Sequence, residues 1–262
     1  MTQPTSPPPG WYPAPHAGNA PRYWDGASWS EGAPSAPVAP VAPAGVAPYP
    51  PAGAVTPAPV TIRPLRGIGK ATGVLVAISG AIAVVTSLLS WWGLVTIDRF
   101  TVGAAPLSEL ETYDALSLWV SVLSLIVLLA TGVCWWIWQY RAAVRVRAVN
   151  PAGIRRSPGW HVGSWIIPVI AWWFPFQNVK DLVRSSRAAV GGGVLGWWWG
   201  LWLASSFATS ISSRMAMAAD TLDALSSSLA VALAGEVLLV AAAPLAWLVV
   251  RRTTDALEPG IR

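Results

Sequence analysis

RRSPGWHVGSWIIPVIAWWFPFQNVKDLVRSSR, residues Arg155 to Arg187, decides how this chain is arranged. Its middle is apolar, but Pro168 and Pro175 interrupt it and basic residues cluster at both ends. A simple membrane span separates a Lys/Arg-rich side from a poorer one. A segment that is basic at both ends therefore poses a topology question, and its neighbours supply the answer.

Apolar runs fall at about 70–95, 115–140, 161–176, 191–212 and 228–250. About 20 residues of helix cross a bilayer, so four of the runs are long enough and the third is short. Arg63, Arg66 and Lys70 precede the first run, and Arg141, Arg145, Arg147, Arg155 and Arg156 follow the second. Lys180, Arg184 and Arg187 follow the third, and Arg251 and Arg252 close the fifth. The remaining loops are acidic, with Asp98, Glu109, Glu111 and Asp114 in one and Asp220 and Asp223 in the other. If all five runs crossed, the cluster at 180–187 would lie outside. If the third run dips in and returns, or lies along the interface, every basic cluster is cytoplasmic. The expected fold is an all-α integral membrane helical bundle with four spans plus one Pro-broken re-entrant or interfacial segment. It sits in the inner (plasma) membrane with both termini cytoplasmic; an ordinary short, kinked fifth span is the alternative. Broken helix at membrane depth must be buried in protein or face a wet cavity, so the segment should pack among the other helices.

Composition agrees with a membrane protein. The chain is 54% hydrophobic and 11% charged, against roughly 25% charged in a soluble domain. Its 18 tryptophans suit the membrane interface, where the ring is apolar and the N–H finds water or headgroups. Trp91, Trp92 and Trp119, and then Trp135, Trp136 and Trp138, stand where two aromatic belts would be. The net charge of +5 flanks apolar runs and forms no basic face with interleaved aromatics, so nucleic acid is not an expected partner. With one cysteine, Cys134, and two isolated histidines, His16 and His161, no intrachain disulfide is possible and no metal or cofactor site is expected. No nucleophile–base pair or phosphate loop appears, so no catalytic residues are assigned and the protein reads as a non-enzyme.

Before the membrane domain, 65–262, come two further parts. Residues 31–64 are Pro/Ala-rich and read as a disordered linker. Residues 7–30, PPPGWYPAPHAGNAPRYWDGASWS, form a small aromatic module. In it, Asp25-Gly26 is a hairpin turn signal. Trp11, Tyr23, Trp24 and Trp29 are either the whole core of this module or an adhesive face, a candidate contact for a protein partner.

Two family resemblances rest on these residues. Gly10-Trp11-Tyr12-Pro13, then Arg22-Tyr23-Trp24-Asp25-Gly26, then Trp29-Ser30 resemble an actinobacterial module, domain of unknown function 2510. Ala14 stands where that pattern has Asp, and Ser30 where it has Thr. Tyr140-Arg141-Ala142, Ser157-Pro158-Gly159-Trp160, Gly163, Trp165, Pro168, Pro175 and the Trp-rich run from Trp197 to Trp202 resemble domain of unknown function 4328, also actinobacterial, over about 115–252. Neither resemblance implies an established activity.

Several residues are candidates for function. Glu236 is the acid deepest in an apolar run, and an ionisable group there is a functional-site hypothesis. His161, Gln177 and Asn178 are its candidate partners in an intramembrane polar site. Arg141, Arg145, Arg147, Arg155, Arg156, Lys180, Arg184 and Arg187 make a cationic collar, a candidate contact for anionic lipid at about 1 kcal/mol per residue. The small-residue ridge Gly192, Gly196, Gly200 and Ala204 is expected to pack inside the bundle. The functional expectation is a scaffold binding a protein or anionic lipid at the cytoplasmic face. The alternative is a small ion- or proton-coupled transporter or channel using Glu236 and the broken segment.

Overall fold

The computed structural model describes residues 7–31 and 63–258. The chain divides into two compact units, Met1–Pro59 and Val60–Arg262. The linker expected at 31–64 lies almost wholly outside the described residues.

In the first unit, β1 (Gly10–Pro13), β2 (Pro21–Trp24) and β3 (Trp29–Ser30) form an antiparallel sheet in that order. The turn between β2 and β3 falls at Asp25-Gly26. There Gly26 takes φ +104°, and the Asp25 carboxylate accepts the backbone N–H of Ala27 and of Ser28, each at 2.7 Å. The four aromatics are shared between the two faces of the sheet. Trp11 lies opposite Tyr23, and Trp24 opposite Trp29, while adjacent residues Tyr23 and Trp24 must point to opposite sides. A single aromatic face is therefore corrected to two pairs, Trp11–Tyr23 and Trp24–Trp29, with centroids 5.8 and 5.2 Å apart. None of the four is buried. The fully buried apolar residue here is Ala14, so this small module keeps its aromatics partly in contact with solvent.

The second unit is helical: α1 (Arg66–Thr101), α2 (Leu107–Val149), α3 (Trp160–Gly163), α4 (Phe174–Ser186), α5 (Gly192–Ala218) and α6 (Leu222–Leu257). α1, α2 and α6 are long and apolar enough to cross a membrane. α5 does not reach that mark, because Trp, Ser and Gly take up much of its 27 residues. In space the long helices follow the order α2, α1, α6, α5, each packed on the next. α1 and α6 come close where Gly80 meets Ala243; a Cβ on Gly80 would stand 2.8 Å from that methyl.

The expected ridge on α5 is a correction. A Cβ on Gly192, Gly196 or Gly200 would meet nothing within 4 Å. α5 instead turns Leu195, Trp198, Trp199 and Ser205 inward, and the close approach to α6 is made by Gly235 against Ala208. The tryptophans also divide. Trp91 and Trp119 are exposed, as an aromatic belt requires, whereas Trp135 and Trp138 are buried in the core and are not belt residues.

One end of the bundle is tied together by long-range polar contacts. The Glu258 carboxylate accepts the N–H of Leu65 at 2.6 Å and of Arg66 at 2.7 Å, serving the free N–H groups that open α1. Arg145 of α2 pairs with Glu258 at 2.8 Å and donates to the Leu257 carbonyl at 3.1 Å. Arg252 of α6 donates to the Ala189 carbonyl, just before α5. The start of α1 and the ends of α2 and α6 thus meet where α5 begins. Residues 150–191 leave this end and return to it.

Candidate functional site

The returning segment is built around its prolines. α3 lasts one turn, a 3-10 turn follows at Ile170–Trp172, and α4 begins at Phe174 with Pro175 in its first turn. Proline is tolerated there because that N–H has no helical partner in any case. Side chains also bond carbonyls near the breaks. Asn178 Nδ2 donates to the Trp160 carbonyl at 3.1 Å, and Trp199 Nε1 donates to the Trp172 carbonyl at 3.2 Å. Trp172 reaches Phe207 of α5, edge to face at 5.0 Å. Phe207 is about 22 Å along α5 from its start, so the tip of the segment reaches that level of α5. Ile166, Val169, Trp172 and Trp173 there stay exposed, which corrects the expectation that the whole segment packs among the other helices.

Rings hold the segment in place. Trp165 packs edge-on against Trp135, Trp199 and Trp202, and its indole N–H donates to Gln139 Oε1 at 2.9 Å. Phe176 stacks on Trp199. Trp138, fully buried, donates to Thr254 Oγ1 at 2.9 Å, which joins α2 to α6.

Beneath these rings lies a buried polar network. Asp181, 1% exposed, accepts Arg155 Nε at 3.0 Å, its NH2 at 2.9 Å and its backbone N–H at 3.3 Å. Asn178, fully buried, also donates to Ser164 Oγ at 3.1 Å. Arg156 donates to Gln177 Oε1 at 2.7 Å and lies over the Phe174 ring. His161 is fully buried, and neither ring nitrogen has a partner among the described residues. Burial pulls its pKa down from 6.5 to about 4; Asp181 opposes this and Arg156 reinforces it. The imidazole is therefore neutral at ordinary pH.

The candidate residues fall into three places. Gln177 and Asn178 come together with Arg156, and His161 lies in the same turn as the carbonyl that Asn178 holds. Glu236 is half-buried on α6 and makes no hydrogen bond or ion pair with any of them among the described residues. It stands more than 20 Å along α6 from Val250, the level of the basic end. In the collar, Arg145, Arg155 and Arg156 are engaged as above, and Arg141 donates to the Pro64 carbonyl at 3.3 Å. Arg147, Lys180, Arg184 and Arg187 are exposed. Arg184 keeps only a 3.6 Å contact with Asp181. Arg184 and Arg187 line a cleft of about 490 Å³ with Val149, Asn150 and Ser185.

Three residues that organise the site were not singled out from the sequence: Asp181, Gln139 and Glu258. Each carried a faint signal. Asp181 is a single acid among basic residues, Gln139 the amide inside WWIWQY, and Glu258 an acid just past a helix end.

Against this geometry, a family model described as a domain of unknown function (DUF4328) matches residues 103–255, more than half of the chain. The chain belongs to the DUF4328 family. The DUF4328 match spans α2 to α6 and leaves out all of α1. A second model, described as a protein of unknown function (DUF2510), matches residues 9–43. Comparison with curated proteins and with solved structures gives no match.

Proposed function

We propose that this DUF4328 protein is a non-enzymatic membrane scaffold that gathers anionic lipid at its basic face and presents the N-terminal module to a protein partner. In this reading α1, α2, α5 and α6 span the plasma membrane, residues 150–191 form a re-entrant segment, and both termini are cytoplasmic. One observation carries it. Internal acceptors occupy Arg141, Arg145, Arg155 and Arg156, while Arg147, Lys180, Arg184 and Arg187 stay exposed, the last two beside a polar cleft. Exposed cations at a membrane surface attract anionic headgroups, and guanidinium groups pair with phosphate in a two-pronged geometry.

The lipid part is tested by native mass spectrometry of protein drawn from phosphatidylcholine vesicles with and without phosphatidylglycerol. The wild type should retain phosphatidylglycerol, and a Lys180→Gln, Arg184→Gln, Arg187→Gln variant should lose most of it. Equal retention by the two proteins refutes the reading. The topology is tested by labelling single cysteines at positions 150, 188 and 218 after Cys134 is replaced. Positions 150 and 188 should label from one face and 218 from the other. Labelling of 150 and 188 from opposite faces refutes the re-entrant segment.

A further inference from the structure

α1 and α6 leave an apolar groove between them that no collar residue lines. Its volume is about 400 Å³, and Ala77, Gly80 and Ala81 of α1 face Ala243, Pro244 and Trp247 of α6 across it. The two helices run in opposite directions, and their contacts set the register. A Cβ on Gly73 would stand 3.4 Å from the Trp247 ring, and one on Gly80 would stand 2.8 Å from the Ala243 methyl. Ala77 and Ala81 are exposed in the groove, because side chains this small do not fill the space above the helix contact.

Positive charge gathers at one end of it. The Arg251 guanidinium lies over the Trp247 ring, 5.0 Å from its centroid. Its side chain is 62% exposed and keeps only a 4.0 Å contact with Asp255. Lys70 stands one turn before Gly73 on α1, exposed and with no hydrogen bond or ion pair among the described residues. From the level of Arg251 the groove runs inward to Val240, about 16 Å of helix. That is about half of the ~30 Å hydrocarbon core of a bilayer, the depth of one leaflet.

We infer that this groove holds one anionic phospholipid, with an acyl chain along the α1–α6 contact and its phosphate at Lys70 and Arg251. The occupant has to join an apolar chain about one leaflet deep to a negative head. A phospholipid does so, whereas a free phosphate leaves the groove empty and a bare hydrocarbon leaves both cations unpaired. A guanidinium also pairs with phosphate in a two-pronged geometry. The inference rests on the reading that α1 and α6 span the membrane, and it is independent of lipid at Lys180, Arg184 and Arg187.

The test uses the full chain in phosphatidylcholine nanodiscs doped with phosphatidylglycerol that carries a photoreactive diazirine on one acyl chain. Labelled peptides are mapped by mass spectrometry. Label should concentrate on residues 77–84 and 240–247, and exceed that from the matching diazirine phosphatidylcholine about fivefold or more. Lys70→Gln and Arg251→Gln, both at exposed side chains, should each lower phosphatidylglycerol labelling there about fivefold, which corresponds to about 1 kcal/mol per cation. Ala81→Phe, which fills the groove from an exposed position, should remove the label. The Lys180→Gln, Arg184→Gln, Arg187→Gln variant should keep it, whatever lipid the collar loses. Equal groove labelling by the two lipids, or labelling unchanged in both single Gln substitutions, overturns the inference. So does a groove labelled no more densely than the exposed face of α2, which marks bulk lipid, or one shielded from both lipids, as a second copy packed on it would leave it. Absence of label from all of α1 and α6 would refute the spanning reading itself, and this inference with it.

Discussion

Replacing Glu258 with alanine should loosen the basic end of the bundle, by an amount that the geometry sets. Its carboxylate receives two backbone N–H groups, at 2.6 and 2.7 Å, and the Arg145 guanidinium at 2.8 Å. A hydrogen bond to a charged group contributes about 1.5–3 kcal/mol. Leu65 is fully buried, so its N–H would be stranded, whereas the exposed N–H of Arg66 can turn to water. Arg145 keeps its bond to the Leu257 carbonyl, and the ion pair, with both side chains about one-sixth exposed, adds roughly 0.5–1 kcal/mol after screening. The expected cost of Glu258→Ala is therefore about 2–3 kcal/mol, and that of Glu258→Gln about half as much. The assay is reversible unfolding in mixed micelles with increasing dodecyl sulfate, read by tryptophan emission. Arg145→Ala should cost less, and the double variant should lose less than the sum of the two. pH gives a second readout. Burial pushes the Glu258 carboxyl up, but the Leu65 and Arg66 N–H groups and Arg145 outweigh it and hold it below its ordinary 4.5. A depressed carboxylate stabilises above the unfolded value and loses that contribution as pH falls through the folded one. Wild type should thus weaken below pH 4.5 and Glu258→Ala should not share that part of the loss. A Glu258→Ala variant as stable as wild type at neutral pH refutes the reasoning.

Three further outcomes are expected. His161 is held neutral, so its contribution is full above pH 6.5 and is lost as pH falls from 6.5 to about 4. The loss is at most about 1.4 kcal/mol per pH unit, and His161→Leu should flatten the wild-type unfolding curve over that window; an unchanged slope contradicts this. Asp181→Asn should cost about 1–3 kcal/mol, discounted because Arg155 is half exposed. It should also speed tryptic cutting after Arg155, and undiminished protection would show that the pair does not hold the segment. Gly80→Ala should destabilise by about 1–3 kcal/mol through its clash with Ala243, whereas Gly196→Ala, facing open space, should gain up to about 1 kcal/mol of helix propensity. Shifts of the same sign would mean that the inward and outward faces are misassigned.

Local chemistry made part of this molecule readable in advance. Asp25-Gly26 announced its turn because one carboxylate and one permissive residue suffice to make it. The long apolar runs announced helices, and Pro168 and Pro175 announced the break. Matched basic ends raised the expectation that the broken segment starts and finishes on one side; in the structure its two ends lie at the end of the bundle where Arg145 and Arg252 make their contacts. What stayed hidden depends on partners far along the chain. Glu258 binds an amide 193 positions before it, and no window of sequence contains both groups. The same holds for Asp181 with Arg155 and for Gln139 with Trp165, each 26 positions apart. The ridge on α5 misled for another reason. A Gly-x-x-x-Gly spacing says that one face is small, but the rotation of the helix is set by its larger residues. Here Trp198 and Trp199 took the interior and turned the glycines out.

The grip of Glu258 on α1 also makes the membrane unit a ring in chain terms. Its first described residues and its last lie side by side, so the order of the helices could be cut and rejoined without altering their neighbours. A permuted chain that joins the end of α6 to the start of α1, and opens at the turn 102–106, would keep every contact at the basic end. The packing along the row α2, α1, α6 and α5 would then be the same whichever helix is made first.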